Sequence, residues 1–243
     1  MTEGPQLDPL PAEALEMLRQ VSTSTVATQL YKRGFRQPQL LGVRPLSRVC
    51  DGFVAEAFTM RFIPAREDKA RNPAEGPIQQ QAMEGCPPGH VLVVDARGDP
   101  RAASAGDLYC GRLKARGCAG IVTDGGLRDT DGIAKTGLVA YHRRPSSPPS
   151  GIVHQPVDLG LPIACGGVAV YPGDVIVGDG DGVVVIPPEI VDMVAEDALA
   201  TTLYDEFAEE EVAKGRSLIG LFPAAGDDAK RDFAAWKKAR GYT

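Results

Sequence analysis

Residues 90–126 read HVLVVDARGDPRAASAGDLYCGRLKARGCAGIVTDGG, and the order of their apolar and turn residues decides the predicted fold. The apolar run 91–95 is typical of a buried strand. The stretch 106–117 predicts a helix with Leu108 and Leu113 facing inward and a glycine stop. A second buried strand with its own glycine turn follows within 118–126. This order predicts a βαβ unit with two parallel strands.

The remaining segments predict helices at both ends of the chain and antiparallel strands before the last of them. The predicted elements are two helices over 12–34 that break at Ser22–Thr25 and end at Gly34, a strand over 52–62, and a surface loop over 64–77 leading into a helix over 78–85. A loop over 141–151, three short strands in hairpins over 161–189 and helices from Pro188 onward follow. No repeat or long linker divides the chain. We therefore expect one domain over 1–243, with its core at about 15–190 and C-terminal helices at about 190–243.

The composition excludes several classes of function. The 243 residues are 43% hydrophobic and 24% charged, which is ordinary for a globular protein. A net charge of −6 gives no basic surface for nucleic acid. The sequence has no apolar run long enough to span a bilayer and no basic segment followed by an apolar one at its start, so we expect a cytoplasmic protein with no membrane partner.

Cysteine and histidine spacing argues against zinc and against a disulfide framework. The five cysteines form no CxxC pair, and the three histidines include no HExxH pattern. The sequence GDGDG at 178–182 resembles a calcium loop, but it lacks the glutamate of an EF-hand and lies between strands. We interpret it as a hairpin turn.

Charged residues follow the second predicted strand of the βαβ unit. Arg128 and Asp129 lie just past it, and Asp107 starts the helix in front of it. Ligands of α/β proteins bind beyond the carboxyl ends of parallel strands. The free backbone N–H groups of Leu108 and Tyr109 attract a small anion, Arg128 matches a carboxylate, and Asp129 offers oxygen to a divalent cation.

These residues predict a site for a 2-keto acid, in which a metal polarises the keto oxygen and a carboxylate moves protons through water. Structural interpretations remain open for the same residues. Asp107 can simply cap its helix, and Arg128 with Asp129 can form an ordinary surface ion pair.

The stretch from Asp107 to Asp129 resembles a family of class II pyruvate aldolases. These enzymes cleave 4-hydroxy-4-methyl-2-oxoglutarate and 4-carboxy-4-hydroxy-2-oxoadipate, and they are grouped with the regulator of ribonuclease activity A. The family signature is an Asp, twenty residues and then Arg-Asp, which Asp107, residues 108–127 and Arg128-Asp129 match. The resemblance extends over about residues 15–225. It implies an α/β fold, an α/β/β/α sandwich related to phosphohistidine swivelling domains, with a C-terminal helical tail.

The resemblance also implies roles for individual residues. Asp129 would ligate Mg²⁺ or Mn²⁺, and Arg128 would bind the keto acid and the forming enolate. Asp107 would hold a water or transfer a proton, and the backbone from Gly106 through Leu108 to Tyr109 would bind the substrate carboxylate. The family's members are trimers or hexamers in which a glutamate from a neighbouring subunit faces the site. The candidates here are Glu206, which we prefer, and Glu209 and Glu210.

Three functions follow from the resemblance. The first is metal-dependent retro-aldol cleavage of a 4-hydroxy-2-oxo acid to pyruvate, with oxaloacetate decarboxylation through the same enolate. The second is hydration or dehydration of a sugar-derived keto acid. The third is a non-enzymatic regulator that binds an RNA-degradation endonuclease, which Asp129 and the acidic tail disfavour. The loop 141–151, with His142, Arg143 and Arg144, is longer and more basic than in plain aldolases. Either it binds a more highly charged acid, or it is a solvated loop or subunit contact.

Overall fold

A computed structural model describes residues 11–47, 52–68, 77–223 and 226–242. Cys50 and residues 69–76 of the predicted surface loop lie outside these ranges. The helices are α1 (Ala12–Leu18), α2 (Thr23–Lys32), α3 (Ile78–Gly85), α4 (Asp107–Ala115), α5 (Thr130–Thr136), α6 (Val191–Ala213) and α7 (Asp227–Ala239). The strands are β1 (Arg44–Pro45), β2 (Phe53–Pro64), β3 (Val91–Asp95), β4 (Ala103–Ala105), β5 (Gly120–Thr123), β6 (Gly126–Leu127), β7 (Val139–His142), β8 (Arg144–Pro145), β9 (His154–Leu159), β10 (Ile163–Cys165), β11 (Val168–Val170), β12 (Val175–Gly178) and β13 (Val183–Ile186).

One large sheet organises the fold, in the order β1-β7-β5-β3-β2-β12-β13, with β9 also paired to β2. The strands β2, β3, β5 and β7 are parallel, and the β3–β5 pair is the one that the βαβ pattern predicts. The strands β12 and β13 form an antiparallel hairpin that joins β2. Two small sheets, β10-β11 and β4-β6-β8, complete the described strands.

Alternating side chains of the sheet face two different cores, because successive residues of a strand point to opposite faces. Leu92 and Val94 of β3 pack with α3, α4 and α5. Val91 and Val93 instead share a core with Ile176 of β12 and with β13 and the β10–β11 hairpin. The other faces of β12 and β13 pack against α1, α2 and α6. Helices thus cover both outer faces of a curled sheet, which confirms the predicted α/β/β/α sandwich.

The sequence GDGDG forms the β12–β13 hairpin turn, as predicted, and its first aspartate caps a helix. Asp179 Oδ2 accepts a hydrogen bond from the backbone N–H of Thr23, and its Oδ1 accepts one from the Thr23 hydroxyl, each at 2.8 Å. The carboxylate therefore stabilises the first turn of α2 and binds the hairpin to the helical layer.

Three predictions about local structure need correction. Leu108 is 81% exposed, whereas Leu113 is fully buried. Residues five positions apart in a helix are rotated by about 500° about its axis, which is one full turn plus about 140°. The two leucines therefore point in directions about 140° apart and cannot share one face. The predicted loop 141–151 contains the end of β7 and all of β8. The 161–189 region has four short strands rather than three. Among the described helices, none is long and apolar enough to cross a membrane.

Candidate active site

The small sheet β4-β6-β8 brings the two halves of the Asp107–Asp129 signature together. The strands β4 and β6 run parallel, with Ala105 opposite Leu127. The backbone N–H of Arg128 donates to the carbonyl of Ala105 at 3.1 Å. Because both strands end at this point, the residues after them, Gly106-Asp107 and Arg128-Asp129, emerge side by side. Strand register therefore accounts for the pairing of residues that lie more than twenty positions apart.

Asp129 adopts a backbone conformation that is unusual for a residue with a side chain. Its φ and ψ are 53° and 41°, in the left-handed region, and it precedes α5, whose Ile133 N–H donates to its carbonyl. Among the described residues, Arg97 is the one other non-glycine residue with positive φ. Aspartate tolerates this region better than most residues do, yet the conformation carries strain of the kind found at functional sites.

Two glycines leave the space that the aspartates occupy. A β-carbon at Gly106 would lie 2.8 Å from Asp129 Oδ2 and 3.1 Å from Arg128 Cγ. A β-carbon at Gly132 in α5 would lie 2.7 Å from Asp107 Oδ2 and 2.8 Å from Asp107 Cβ. Both contacts are closer than van der Waals packing allows. Any other residue at either position would displace the acidic side chains.

The three signature residues, Asp107, Arg128 and Asp129, line a cleft of about 750 Å³ together with Gly106. Its walls include Gln79 and Gln80 of α3, the first turn of α4 with Leu108 and Tyr109, and residues 149–152. All predicted substrate-binding residues, Gly106, Asp107, Leu108, Tyr109 and Arg128, lie in this one cleft together with Asp129. The cleft has the size of a small-molecule site.

The charged groups of the cleft remain accessible to solvent. Arg128 Nε donates to Asp129 Oδ2 at 3.0 Å, and the two side chains are 43% and 44% exposed. Such an ion pair adds little to stability. Asp107 Oδ1 accepts a hydrogen bond from the N–H of Leu108 at 2.7 Å. Behind them, burial and then the Asp107 charge raise the pKa of the Cys110 thiol to about 12, so this cysteine stays protonated and is no nucleophile.

The donor set fits a divalent cation that keeps most of its waters. The described residues contain no group of three or more His, Cys, Asp or Glu side chains arranged to hold a metal. Mg²⁺ is commonly bound through one or two carboxylates, with water and substrate oxygens in the other positions. Asp129 and Asp107, in spaces kept open by Gly106 and Gly132, supply this kind of site.

The three candidate glutamates lie on α6, which packs against α1 and α2, and none of them lines the cleft of its own chain. The carboxylate of Glu210 already binds the end of α7, because it accepts hydrogen bonds from Trp236 Nε1 at 3.0 Å and from Arg240 at 2.6 Å. Glu206 and Glu209 are exposed. The preferred role of Glu206 in a neighbouring site stays a prediction.

The loop 141–151 reaches the cleft with its last residues and not with its basic ones. Residues 149–151 line the cleft, whereas Arg143 and Arg144 do not. Arg143 Nη1 instead donates to the carbonyl of Gly98 at 3.2 Å. The Ser150 hydroxyl donates to Gln79, whose amide donates to the carbonyl of Ser104 in β4. This chain of hydrogen bonds connects the cleft wall at residues 149–152 to α3 and to β4.

Sequence reasoning missed a buried carboxylate that supports the edge of the sheet. Asp124 Oδ1 accepts from the N–H of Ala96 at 2.7 Å, and its Oδ2 accepts from Gly98 at 2.8 Å and Gly166 at 3.1 Å. Burial raises the pKa of this carboxyl, although the three N–H donors oppose the shift. Its position directly after the strand 120–123 was the available signal, because polar residues at that edge often organise loops.

Comparison with known proteins supports the same assignment of fold. A protein of Halalkalibacterium halodurans, provisionally named 4-hydroxy-4-methyl-2-oxoglutarate aldolase, is 38% identical over 136 residues, which are 55% of this chain and 63% of that protein. A protein of Ectopseudomonas mendocina with the same provisional name is 37% identical over 99 residues, 41% of this chain and 60% of that protein. The chain thus matches less than two thirds of the length of these relatives.

Solved structures show how far the fold is shared. RraAS2 of Streptomyces coelicolor, described as an unusual member of the RNase ES inhibitor RraA family, superposes with a TM-score of 0.76 at 29% identity over 84% of this chain and 100% of that chain. An uncharacterized protein of Pseudomonas syringae gives 0.77 at 22% identity over 88% of this chain and 99% of that chain. The family model RraA-like, described as aldolase/RraA, matches residues 23–185, which include the cleft. The chain therefore belongs to the RraA-like family.

Proposed function

We propose that this protein is a divalent-metal-dependent carbon–carbon lyase that cleaves a 4-hydroxy-2-oxo acid to pyruvate. The observation that carries the proposal is the β4–β6 register, which places Asp107, Arg128 and Asp129 in one cleft beside an accessible helix N-terminus. The provisional names of the relatives point to the same chemistry.

The cleft supplies the groups that hold a 2-keto acid. The guanidinium of Arg128 offers a planar pair of donors to the substrate carboxylate and to the enolate oxygen that develops during the reaction. The backbone N–H groups at the start of α4, near Leu108 and Tyr109, add donors that favour negative charge. Asp129 provides an oxygen ligand for the divalent cation, and Asp107 provides the base.

Cleavage needs one proton to leave and one to return. Asp107, through a water, takes the proton of the C4 hydroxyl, and the C3–C4 bond breaks as C4 becomes a carbonyl. The bonding electrons form the enolate of pyruvate, which Arg128 stabilises. Return of a proton to C3 gives pyruvate. A divalent cation held at Asp129 would supply Lewis-acid polarisation of the keto oxygen.

The same enolate links this reaction to oxaloacetate decarboxylation, in which the bond to the distal carboxylate breaks and CO₂ leaves. Hydration or dehydration of a sugar-derived keto acid uses the same groups and is the second enzymatic candidate. A regulator that binds an endonuclease is the non-enzymatic candidate, and the structural similarity to RraAS2 of the RNase ES inhibitor RraA family is the observation that favours it.

The test is pyruvate release from 4-hydroxy-4-methyl-2-oxoglutarate, 4-hydroxy-2-oxopentanoate and oxaloacetate, with Mg²⁺ or with EDTA. We expect metal-dependent release by the wild type, its loss in Asp129→Ala, and its retention in Asp192→Ala, a matched exposed aspartate in the first turn of α6. Absence of release from all three acids with Mg²⁺ and with Mn²⁺ would refute the lyase assignment.

A further inference from the structure

The two strands that carry the signature are too short to fix their own register. The strands β4 and β6 have three and two residues. Their pairing is also irregular, because the register shifts between Ala103 and Ala105. A short pair that contains such an irregularity has few backbone hydrogen bonds to oppose a slip of one strand along the other. Contacts outside the pair must therefore hold the two halves of the signature side by side.

Asp124 makes the first of these contacts, because its carboxylate joins the two connections that lead into β4 and β6. Asp124 lies between β5 and β6, whereas Ala96 and Gly98 lie between β3 and β4. The carboxylate accepts hydrogen bonds from the N–H groups of Ala96 and Gly98, and a third one from Gly166. The residue is 2% exposed. Hydrogen bonds to an ionised acceptor are short and strong, so this one side chain holds both approaches to the cleft.

A second contact joins the same two connections through hydroxyl groups. Ser104 lies where the β4–β6 register shifts, and its Oγ lies 2.8 Å from Thr123 Oγ1 inside the core. Thr123 Oγ1 also accepts a hydrogen bond from the N–H of Gly125 at 3.0 Å. A β-carbon at Gly125 would lie 2.5 Å from the β-carbon of Ala96 and 2.8 Å from Ser104 Oγ. The turn at 123–125 thus holds the neighbouring connection by a carboxylate, a hydroxyl and a close backbone approach.

We propose that Asp124 is a positioning residue of the candidate site, whose carboxylate fixes the register of β4 and β6 and thereby the position of Asp107 relative to Asp129. Asp124 is not among the described residues that line the cleft, so it acts through the residues that do. Its contacts are buried inside one chain and are therefore independent of any residue that a neighbouring subunit adds to the cleft. The effect on turnover rests on the proposed function, whereas the effect on the strands does not.

The test compares Asp124→Asn with Asp174→Asn. An amide has one oxygen acceptor, and its NH₂ group must face at least one of the three N–H donors that now bind Asp124, so a buried donor loses its partner. Asp174 is the matched control, because it is 6% exposed and its Oδ2 accepts a hydrogen bond from the N–H of Tyr171 at 2.7 Å. It too is absent from the described lining of the cleft.

Hydrogen–deuterium exchange, read by mass spectrometry of peptides, reports on the strands themselves. Peptides that cover 103–109 and 126–129 are expected to exchange about tenfold faster in Asp124→Asn than in the wild type, and at the wild-type rate in Asp174→Asn. In pyruvate release with Mg²⁺, kcat of Asp124→Asn is expected to fall by about 10- to 100-fold, because the base moves by about 1 Å from the reacting bond. KM is expected to change by less than about threefold, since the walls of the cleft remain, and Asp174→Asn is expected to keep both constants.

Wild-type exchange of the two peptides in Asp124→Asn would overturn the inference, as would a kcat equal to that of Asp174→Asn or a rise in KM without a fall in kcat. Ser104→Ala, which removes only the hydroxyl partner of Thr123, is the second variant if Asp124→Asn does not fold. It is expected to speed exchange of the same peptides by about threefold, and unchanged exchange would count against the inference. If the wild type releases no pyruvate, the lyase function fails, and the exchange of the two peptides alone decides whether Asp124 fixes the register.

Discussion

Gly132 offers the sharpest way to disturb the site without disturbing the fold. A β-carbon there would lie 2.7 Å from Asp107 Oδ2 and 2.8 Å from Asp107 Cβ. The second contact is with an atom fixed to the backbone, so rotation of the carboxylate cannot relieve it. The first turn of α4 must move relative to α5 by roughly 0.5–1 Å, and a displacement of about 1 Å at catalytic groups can cost about 100-fold in rate.

The expected stability change of Gly132→Ala is small, because two effects oppose each other. Alanine in a helix is favoured over glycine by about 1 kcal/mol, whereas overpacking costs about 1–3 kcal/mol. We therefore expect kcat for pyruvate release to fall by about 10- to 100-fold, while the free energy of unfolding in urea decreases by about 2 kcal/mol at most.

Gly111→Ala in α4 is the matched control. A β-carbon at Gly111 would meet the Thr136 side chain at 3.8 Å, an ordinary contact. This variant is expected to gain up to about 1 kcal/mol of stability and to keep its kcat. If Gly132→Ala were as active as Gly111→Ala, the position of Asp107 would not matter to the reaction, and the assigned role of this residue would be wrong.

Three further predictions concern the charge of Asp129, the wall of the cleft and a buried acid. Asp129→Ala is expected to be less stable than Asp129→Asn by about 1 kcal/mol in urea unfolding, because asparagine tolerates the left-handed backbone. Both variants are expected to lose pyruvate release. Equal stability of the two variants would contradict the strain assigned to this residue. Gln79→Leu removes the hydrogen bond to Ser104 and the one from Ser150. We therefore expect KM for the keto acid to rise by about 3- to 10-fold, with a smaller change in kcat. A fall in kcat alone would contradict a positioning role for Gln79. Burial raises the pKa of the Asp174 carboxyl to about 6. Since this exceeds the unfolded value of about 3.9, its contribution to stability is present below about pH 4 and lost as the pH rises through about 6. Asp174→Asn should flatten this dependence in urea unfolding at several pH values, and an unaltered pH profile would refute the assignment.

The sequence was informative where runs of apolar residues and turn residues determined the structure. The apolar run at 91–95 and the helix over 106–117 predicted the parallel unit, and the Gly-Asp-Gly-Asp-Gly turn predicted the β12–β13 hairpin. Both features depend on local propensity and alternation, which a single sequence displays directly. The residues that share the cleft were identified by their places at the start of the predicted helix and after the predicted strand, and by the family signature that their spacing resembles.

The geometry that unites the site was not predictable in the same way. The strands β4 and β6 have three and two residues, too few to show alternation, yet their register places Asp107 beside Asp129. The left-handed conformation of Asp129 and the close approach of Gly132 to Asp107 depend on tertiary contacts. The seven-residue α5 contains a glycine and two threonines, so its propensity for helix is weak and packing decides its conformation.

Mn²⁺ binding measured by electron paramagnetic resonance tests most directly whether Asp129 holds a divalent cation in the cleft. We expect a site in the wild type that is lost in Asp129→Asn, which keeps the shape and backbone tolerance of the side chain, and retained in Asp192→Asn. Unchanged Mn²⁺ affinity in Asp129→Asn would contradict the assignment of Asp129 as the ligand, because the cation would then bind elsewhere.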